Sequence, residues 1–204
     1  IMWMAIATGS KAIHSVGITM DNIAAVILVG GKSSRMGRDK ALLPYKGKRL
    51  VDVVADTIRS AGVSRVYVSG KIADYPSFPD LLSECGPVSG ICSCILRLSM
   101  NYKRLLFVPV DMPYLTEELI RLLVDCPAHK THHIENHPLP CIIPTDEAAT
   151  RHADSCIQEL VKKKKLSVKE FLARLNAISV PLSRQMEKAL TNTNTPEEWQ
   201  EVIS

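Results

Sequence analysis

From Ile23 the chain runs IAAVIL and then breaks into VGGKSSRMGRDKALL. Six consecutive apolar residues with no polar alternation read as a strand buried on both faces, which is how a strand of a helix-covered parallel sheet is written. Two further β-rich runs follow, RVYVSG at 65–70 and RLLFVPVD at 104–111, the latter with an acid at its carboxyl end. Helical patterns separate them. LVDVVADTIRSAG places Leu50, Val51, Val53, Val54 and Ile58 on one helical face and stops at Gly62, a suitable residue beyond a helix C-terminus. GPVSGICSCILRLSM reads as a turn leading into a helix, and LTEELIRLLVD as another, with Thr116 as its N-cap. This alternation predicts a three-layer α/β/α architecture around a mostly parallel central sheet.

With 204 residues, 46% of them hydrophobic, the chain can bury a core of its own, and one compact domain is the expectation. A formal charge of +4 is too mild for a dedicated nucleic-acid or membrane-surface protein, though it suits an anionic small ligand. The six cysteines form no C-x-x-C pair and no secreted disulfide framework, so reduced thiols in a cytoplasm are expected. Residues 1–20 lack the basic start and cleavage site of a signal peptide. They read as an extension or tag, or as a functional arm, ahead of a single domain at 21–204. No apolar run reaches the roughly 20 residues that a membrane-spanning helix needs.

Beyond residue 125 the pattern weakens. CPAHKTHHIENHPLP carries three prolines and four histidines, His129, His132, His133 and His137, with no sustained period, and reads as a loop or an edge hairpin. Those histidines lack the acid or cysteine spacing of a zinc site. Further on, SVKE at 167–170 fits a capping box, and TPEE at 195–198 adds proline at the first helical position. Cys92 and Cys94 are expected on a helix packing surface, where a free thiol behaves as a small hydrophobe.

Parallel sheets of this kind bind ligands outside the carboxyl ends of their strands, which selects the loop after Leu28 and Asp111 as neighbours. Gly30 and Gly31 let backbone amides approach an anion closely. Lys32, Arg35, Arg38 and Lys40 within ten residues of them match a triphosphate better than a single carboxylate. GKS at 31–33 looks like the end of a Walker A motif, but the glycine that motif wants five places before Gly31 is Val26. The dinucleotide pattern G-x-G-x-x-G is also absent. A solvated basic turn is the plainer alternative. For Asp111, capping a turn and ligating a metal both remain open on the residues alone.

LVGGKSSRMGRDKALLPYKGKRL closely resembles the signature loop of the MobA-type molybdenum cofactor guanylyltransferases, approximately L-A-G-G-x-S-x-R-M-G-x-D-K-x-L, departing mainly at Val29. The resemblance continues through ECGPVSGI, FVPVDMPYLT, NHPLPCIIP and TNTNTPEEW, and so covers roughly Ile23 to Ser204. Related cytidylyl and sugar-nucleotide transferases carry alanine-glycine in place of Gly30-Gly31, which favours the guanylyl branch.

The resemblance implies a Rossmann-like nucleotidyltransferase fold and transfer of GMP from GTP to the phosphate of molybdopterin, with Mg²⁺ as cofactor. It implies that Lys40, Arg35 and Asp111 are catalytic, Asp111 also ligating the metal. Nucleotide contacts would come from Leu28, Val29, Gly30, Gly31, Arg35, Lys40, Ser69, Asp80, Gly86, Pro87, Gly90 and Asp111. Ser69 stands where the family has asparagine, and Asp80 matches the family's acid only if one residue is deleted. Asn192 and Asn194 would bind the acceptor, helix capping being their plainer role. Lys162 to Lys165 fall where the family carries a basic segment implicated in pterin-phosphate binding, or form a solvated helix end. A molybdoenzyme chaperone is a further candidate partner. The alternatives are a related transferase using CTP or another phosphorylated acceptor, and an idle GTP-binding delivery protein.

Overall fold

The structure, a computed structural model, describes residues 22–29, 39–82, 85–193 and 195–203. The extension expected at 1–20 lies outside them, as do Gly30, Gly31, Lys32, Arg35, Arg38 and Asn194. Strand β1 (Ile23–Leu28) is buried along its whole length, as its unbroken apolar run demands. A two-stranded ribbon, β2 (Pro44–Tyr45) and β3 (Lys48–Arg49), leads into helix α1 (Leu50–Ser60). Strands β4 (Arg65–Ser69) and β5 (Ser77–Phe78) follow, then helix α2 (Pro87–Leu98) and strand β6 (Arg104–Pro109). After helix α3 (Glu117–Val124) come strands β7 (His132–Ile134) and β8 (His137–Pro144), helices α4 (Glu147–Val161) and α5 (Val168–Arg174), strand β9 (Ile178–Val180) and helix α6 (Pro196–Ile203).

Seven strands form one sheet in the order β5-β4-β1-β6-β8-β7-β9. β1 pairs in parallel with β4 and β6, as β4 does with β5 and β7 with β9; only β8 runs against its neighbours. Residues from α1, α3 and α6 pack on one face of the sheet and residues from α2, α4 and α5 on the other. The three-layer, mostly parallel expectation therefore stands.

Helix ends follow the sequence signals. α1 stops at Gly62, whose φ of +102° few other residues adopt. Thr116 accepts a bond from the Leu119 amide, and Ser167 and Glu170 close a capping box on α5.

The segment 126–140 does hold a hairpin, β7 and β8 running antiparallel around Glu135 and Asn136, but it lies inside the sheet and not at its edge. β8 is an eight-residue strand between β6 and β7, and β9 holds the edge. The prolines obscured it because they precede the part that pairs with β6. That ladder runs from Phe107 opposite Cys141 to Arg104 opposite Pro144 and buries Cys141, Ile142 and Ile143. Helix α4, whose basic end at Lys162 to Lys165 was one of two readings, has a body that no sequence pattern marked. Its buried stripe is Ala149, Ala153, Cys156 and Leu160, a helical spacing carried by mostly small side chains.

Candidate active site

At the carboxyl end of the parallel strands, Leu28 lies between Ser69 of β4 and Pro109 of β6. The Val29 amide donates to the Ser69 carbonyl at 3.2 Å, and the Val110 amide to the Leu28 carbonyl at 3.1 Å. The segments leaving β1, β4 and β6 are thus laced together where the glycine-rich loop begins. Gly70 is required by this closeness. A Cβ there would stand 2.4 Å from Val29 Cγ2, and its φ is +126°.

Two clusters form along this edge. On the α2 side, Ser69 Oγ donates to Asp80 Oδ1 at 2.7 Å, with Ser69 only 2% exposed. Both lie against Gly90, where a Cβ would be 2.4 Å from Ser69 Oγ and 3.0 Å from Asp80 Oδ1. Three residues that the sequence separates by as much as a strand and a helix are therefore in contact. Cys94, one helical turn further along α2, is fully buried. Burial, reinforced by the charge of Asp80, pushes its thiol up to about 12, so it is protonated at neutral pH. Gly86 begins α2 with φ +75°, and Pro87 takes the first helical position, where no amide donor is needed.

The second cluster joins the other end of the loop to the chain's C-terminal segment. Asp39 caps the short turn Lys40–Leu42 by accepting from the Ala41 amide. Lys40 Nζ donates to the Thr193 carbonyl at 2.7 Å and stands 3.4 Å from Asp111 Oδ2. The Thr193 amide in turn donates to the Asp111 carbonyl at 3.0 Å. Lysine, threonine peptide and aspartate close a ring, and Asp111 occupies it two residues past the end of β6. Thr193 was not expected in the site. Of this segment, it is the backbone of Thr193, a residue only 2% exposed, that meets the charged residues. Asn192 is exposed beside it. Thr195 and Glu198 bond reciprocally to cap α6, so the capping task does not fall on Asn192.

Of the basic run, Lys162 caps α4, and Lys163, with φ +58°, turns the chain. Lys163, Lys164 and Lys165 line a cleft of about 570 Å³ together with Cys85, Gly86, Leu160 and Leu166. The helix-end and cleft-lining roles therefore coincide. His132 and His133 lie on β7 rather than in a loop, and their Nδ1 atoms face the carbonyls of Lys130 at 3.0 Å and Ile134 at 2.8 Å. Cys92 and Cys94 are buried in the α2 packing surface, as expected. Among the described residues no helix is long and apolar enough to cross a membrane.

A mostly parallel sheet with a lysine-aspartate pair at the carboxyl end of its strands suits a nucleotidyltransferase, and this chain is such an enzyme. Residues 25–176 match the MobA-like NTP transferase domain, and the chain belongs to that family. The molybdenum cofactor guanylyltransferase of Xanthomonas euvesicatoria pv. vesicatoria is 32% identical over 178 residues, covering 87% of this chain and 93% of the relative. A probable molybdenum cofactor guanylyltransferase of Methanocaldococcus jannaschii is 28% identical, with 86% and 96% covered. The crystal structure of molybdopterin-guanine dinucleotide biosynthesis protein A from Archaeoglobus fulgidus superposes with a TM-score of 0.67 at 18% identity, over 89% of this chain and 96% of that one. That likeness bears on the fold.

Proposed function

We propose that the protein transfers GMP from GTP to the terminal phosphate of molybdopterin. An acceptor phosphate oxygen attacks the α-phosphorus, a new P–O bond forms, the bond to the β-phosphate breaks, and pyrophosphate leaves with the electron pair. Such a reaction needs no covalent nucleophile on the protein. It needs two polyanions held in line and a compensating charge where negative charge grows.

The observation that carries this reading is the convergence of Lys40, Asp111 and Thr193 at the strand edge that also bears Asp80. Lys40 is within bonding distance of its neighbours yet 15% exposed, so its ammonium can meet the phosphates from the position it already occupies. Gly30, Gly31 and Arg35 would complete the cradle, and Asn192 and Asn194, on either side of Thr193, would face the acceptor, with Lys163 to Lys165 as a second anion contact. Asp80 favours guanine over cytosine or adenine. Guanine offers two adjacent donors, N1–H and the 2-amino group, to a carboxylate, whereas the other bases place an acceptor beside their amino group.

Asp111 fits Mg²⁺. The ion takes one or two carboxylates, with phosphate oxygens and waters completing its shell, and Asp111 is a part-exposed carboxylate beside the phosphate-facing lysine. When bound, the ion would neutralise charge on the phosphates. The six cysteines are free thiols, in keeping with a cytoplasmic setting.

Incubating the purified protein with GTP, Mg²⁺ and molybdopterin should release pyrophosphate and yield the guanine dinucleotide. Pyrophosphate with CTP but not GTP would replace this reading by a cytidylyl transfer. GTP binding with no turnover would replace it by a delivery role.

A further inference from the structure

Ser69 occupies the place where the resembled guanylyltransferases carry an asparagine, and its geometry differs from that of a ligand contact. We infer that Ser69 is a positioning residue for nucleobase recognition. Its buried hydroxyl fixes the Asp80 carboxylate on the bare backbone of Gly90, so that the second carboxylate oxygen is presented to the N1–H and 2-amino edge of guanine. This inference rests on the guanylyl reading.

Three observations support it. The serine is 2% exposed, so its hydroxyl lies beneath the site, and it is spent on Asp80 Oδ1 at 2.7 Å. Asp80 Oδ2 has no hydrogen-bond partner among the described residues and is the oxygen left for a ligand. The backbone around Asp80 is clamped separately. Arg97 donates to the Pro79 carbonyl at 2.9 Å, the Leu81 amide to Ser93 Oγ at 2.8 Å, and Ser89 Oγ to the Leu82 carbonyl at 2.9 Å. With the main chain fixed to α2 on both sides, the remaining freedom of Asp80 is in its side-chain torsions, and the Ser69 hydroxyl removes it. Gly90 completes the arrangement, because any side chain there would occupy the space of the two oxygens. Preorganising an acceptor in this way raises discrimination, since an unheld carboxylate must give up rotamer freedom when the base arrives.

The test uses the full chain with GTP and with ITP, whose base lacks the 2-amino group, and compares binding constants for wild type, Ser69→Ala and Gly90→Ala. Wild type should prefer GTP. Removing one hydrogen bond to this carboxylate should cut that preference by about tenfold in Ser69→Ala, because GTP has two base contacts to Asp80 to lose and ITP, which keeps only N1–H, has one. Gly90→Ala keeps the serine but wedges the pair apart, so it should collapse the same preference even though alanine is the better helix former. A wild-type chain with no preference overturns the guanine reading and this inference with it. A preference that survives in both variants overturns the positioning role alone. Equal losses for both nucleotides, alongside a lower melting temperature, would mark Ser69 as merely structural and also overturn it.

Discussion

Lys40→Ala separates a catalytic ammonium from a binding one. Lys40 Nζ lies 2.7 Å from the Thr193 carbonyl and 3.4 Å from Asp111 Oδ2, with the lysine and aspartate side chains 15% and 20% exposed. Removing it leaves a nearly buried carbonyl without this donor and a carboxylate without its counter-ion. An unsatisfied buried acceptor costs about 1–2 kcal/mol. For a domain of this size that corresponds to a fall of about 3–6 °C in Tm. The kinetic effect should be larger. A positioned group that acts on charge developing in the transition state is worth about 10²–10³ in kcat, or about 3–4 kcal/mol. Pyrophosphate release at saturating GTP and acceptor measures kcat, and GTP titration measures KM. The expected result is a kcat loss of at least about 100-fold with a smaller change in KM, and the Tm shift reports the structural share. A variant whose kcat stays within about threefold of wild type, or whose defect lies wholly in KM, would refute the assignment and leave Lys40 as a ground-state contact.

Other perturbations test the frame. Gly70→Ala must fit a Cβ 2.4 Å from Val29 Cγ2 at a φ of +126°, so a stability loss of about 2 kcal/mol or more is expected in urea titration, relieved in part by adding Val29→Ala. Arg104 is 2% exposed and donates to the Val124 and Leu123 carbonyls at the end of α3, while its Nε has no partner among the described residues. Arg104→Ala should therefore cost about 3–4 kcal/mol, and Arg104→Met, which refills the volume and removes the buried charge, about half as much or less. His132 and His152 are both held below the ordinary value of 6.5, chiefly by burial. The unfolded chain then protonates first, so their contribution is complete above about pH 6.5 and is lost as pH falls below it. The urea midpoint should drop between pH 7.5 and 5.5, and the drop should shrink in a His132→Gln/His152→Gln chain; a rise on acidification would contradict the sign.

The nucleotide half of the fold was legible because its strands are continuous apolar runs and its helices carry large aliphatic stripes, as in Leu50, Val51, Val54 and Ile58. The outer half was not. β8 announces itself by prolines and a histidine before its buried core begins, and α4 buries alanines and a cysteine, which carry little hydrophobic signal. In the site, Lys40, Asp111, Ser69, Asp80 and Gly90 were nameable through the resemblance, but their contacts with one another were not. That Ser69 lies under Asp80 depends on the register of α2 against β4. That Thr193 matters depends on its carbonyl and amide, which no side-chain pattern encodes.

The ring at Lys40 also says when the site comes into being. Lys40 and Asp111 are 71 residues apart and Lys40 and Thr193 are 153, so these contacts close long loops of the chain. Each can form only after the intervening strands are in place. The machinery is thus assembled late, so under mild denaturant catalysis should disappear while most of the sheet is still intact.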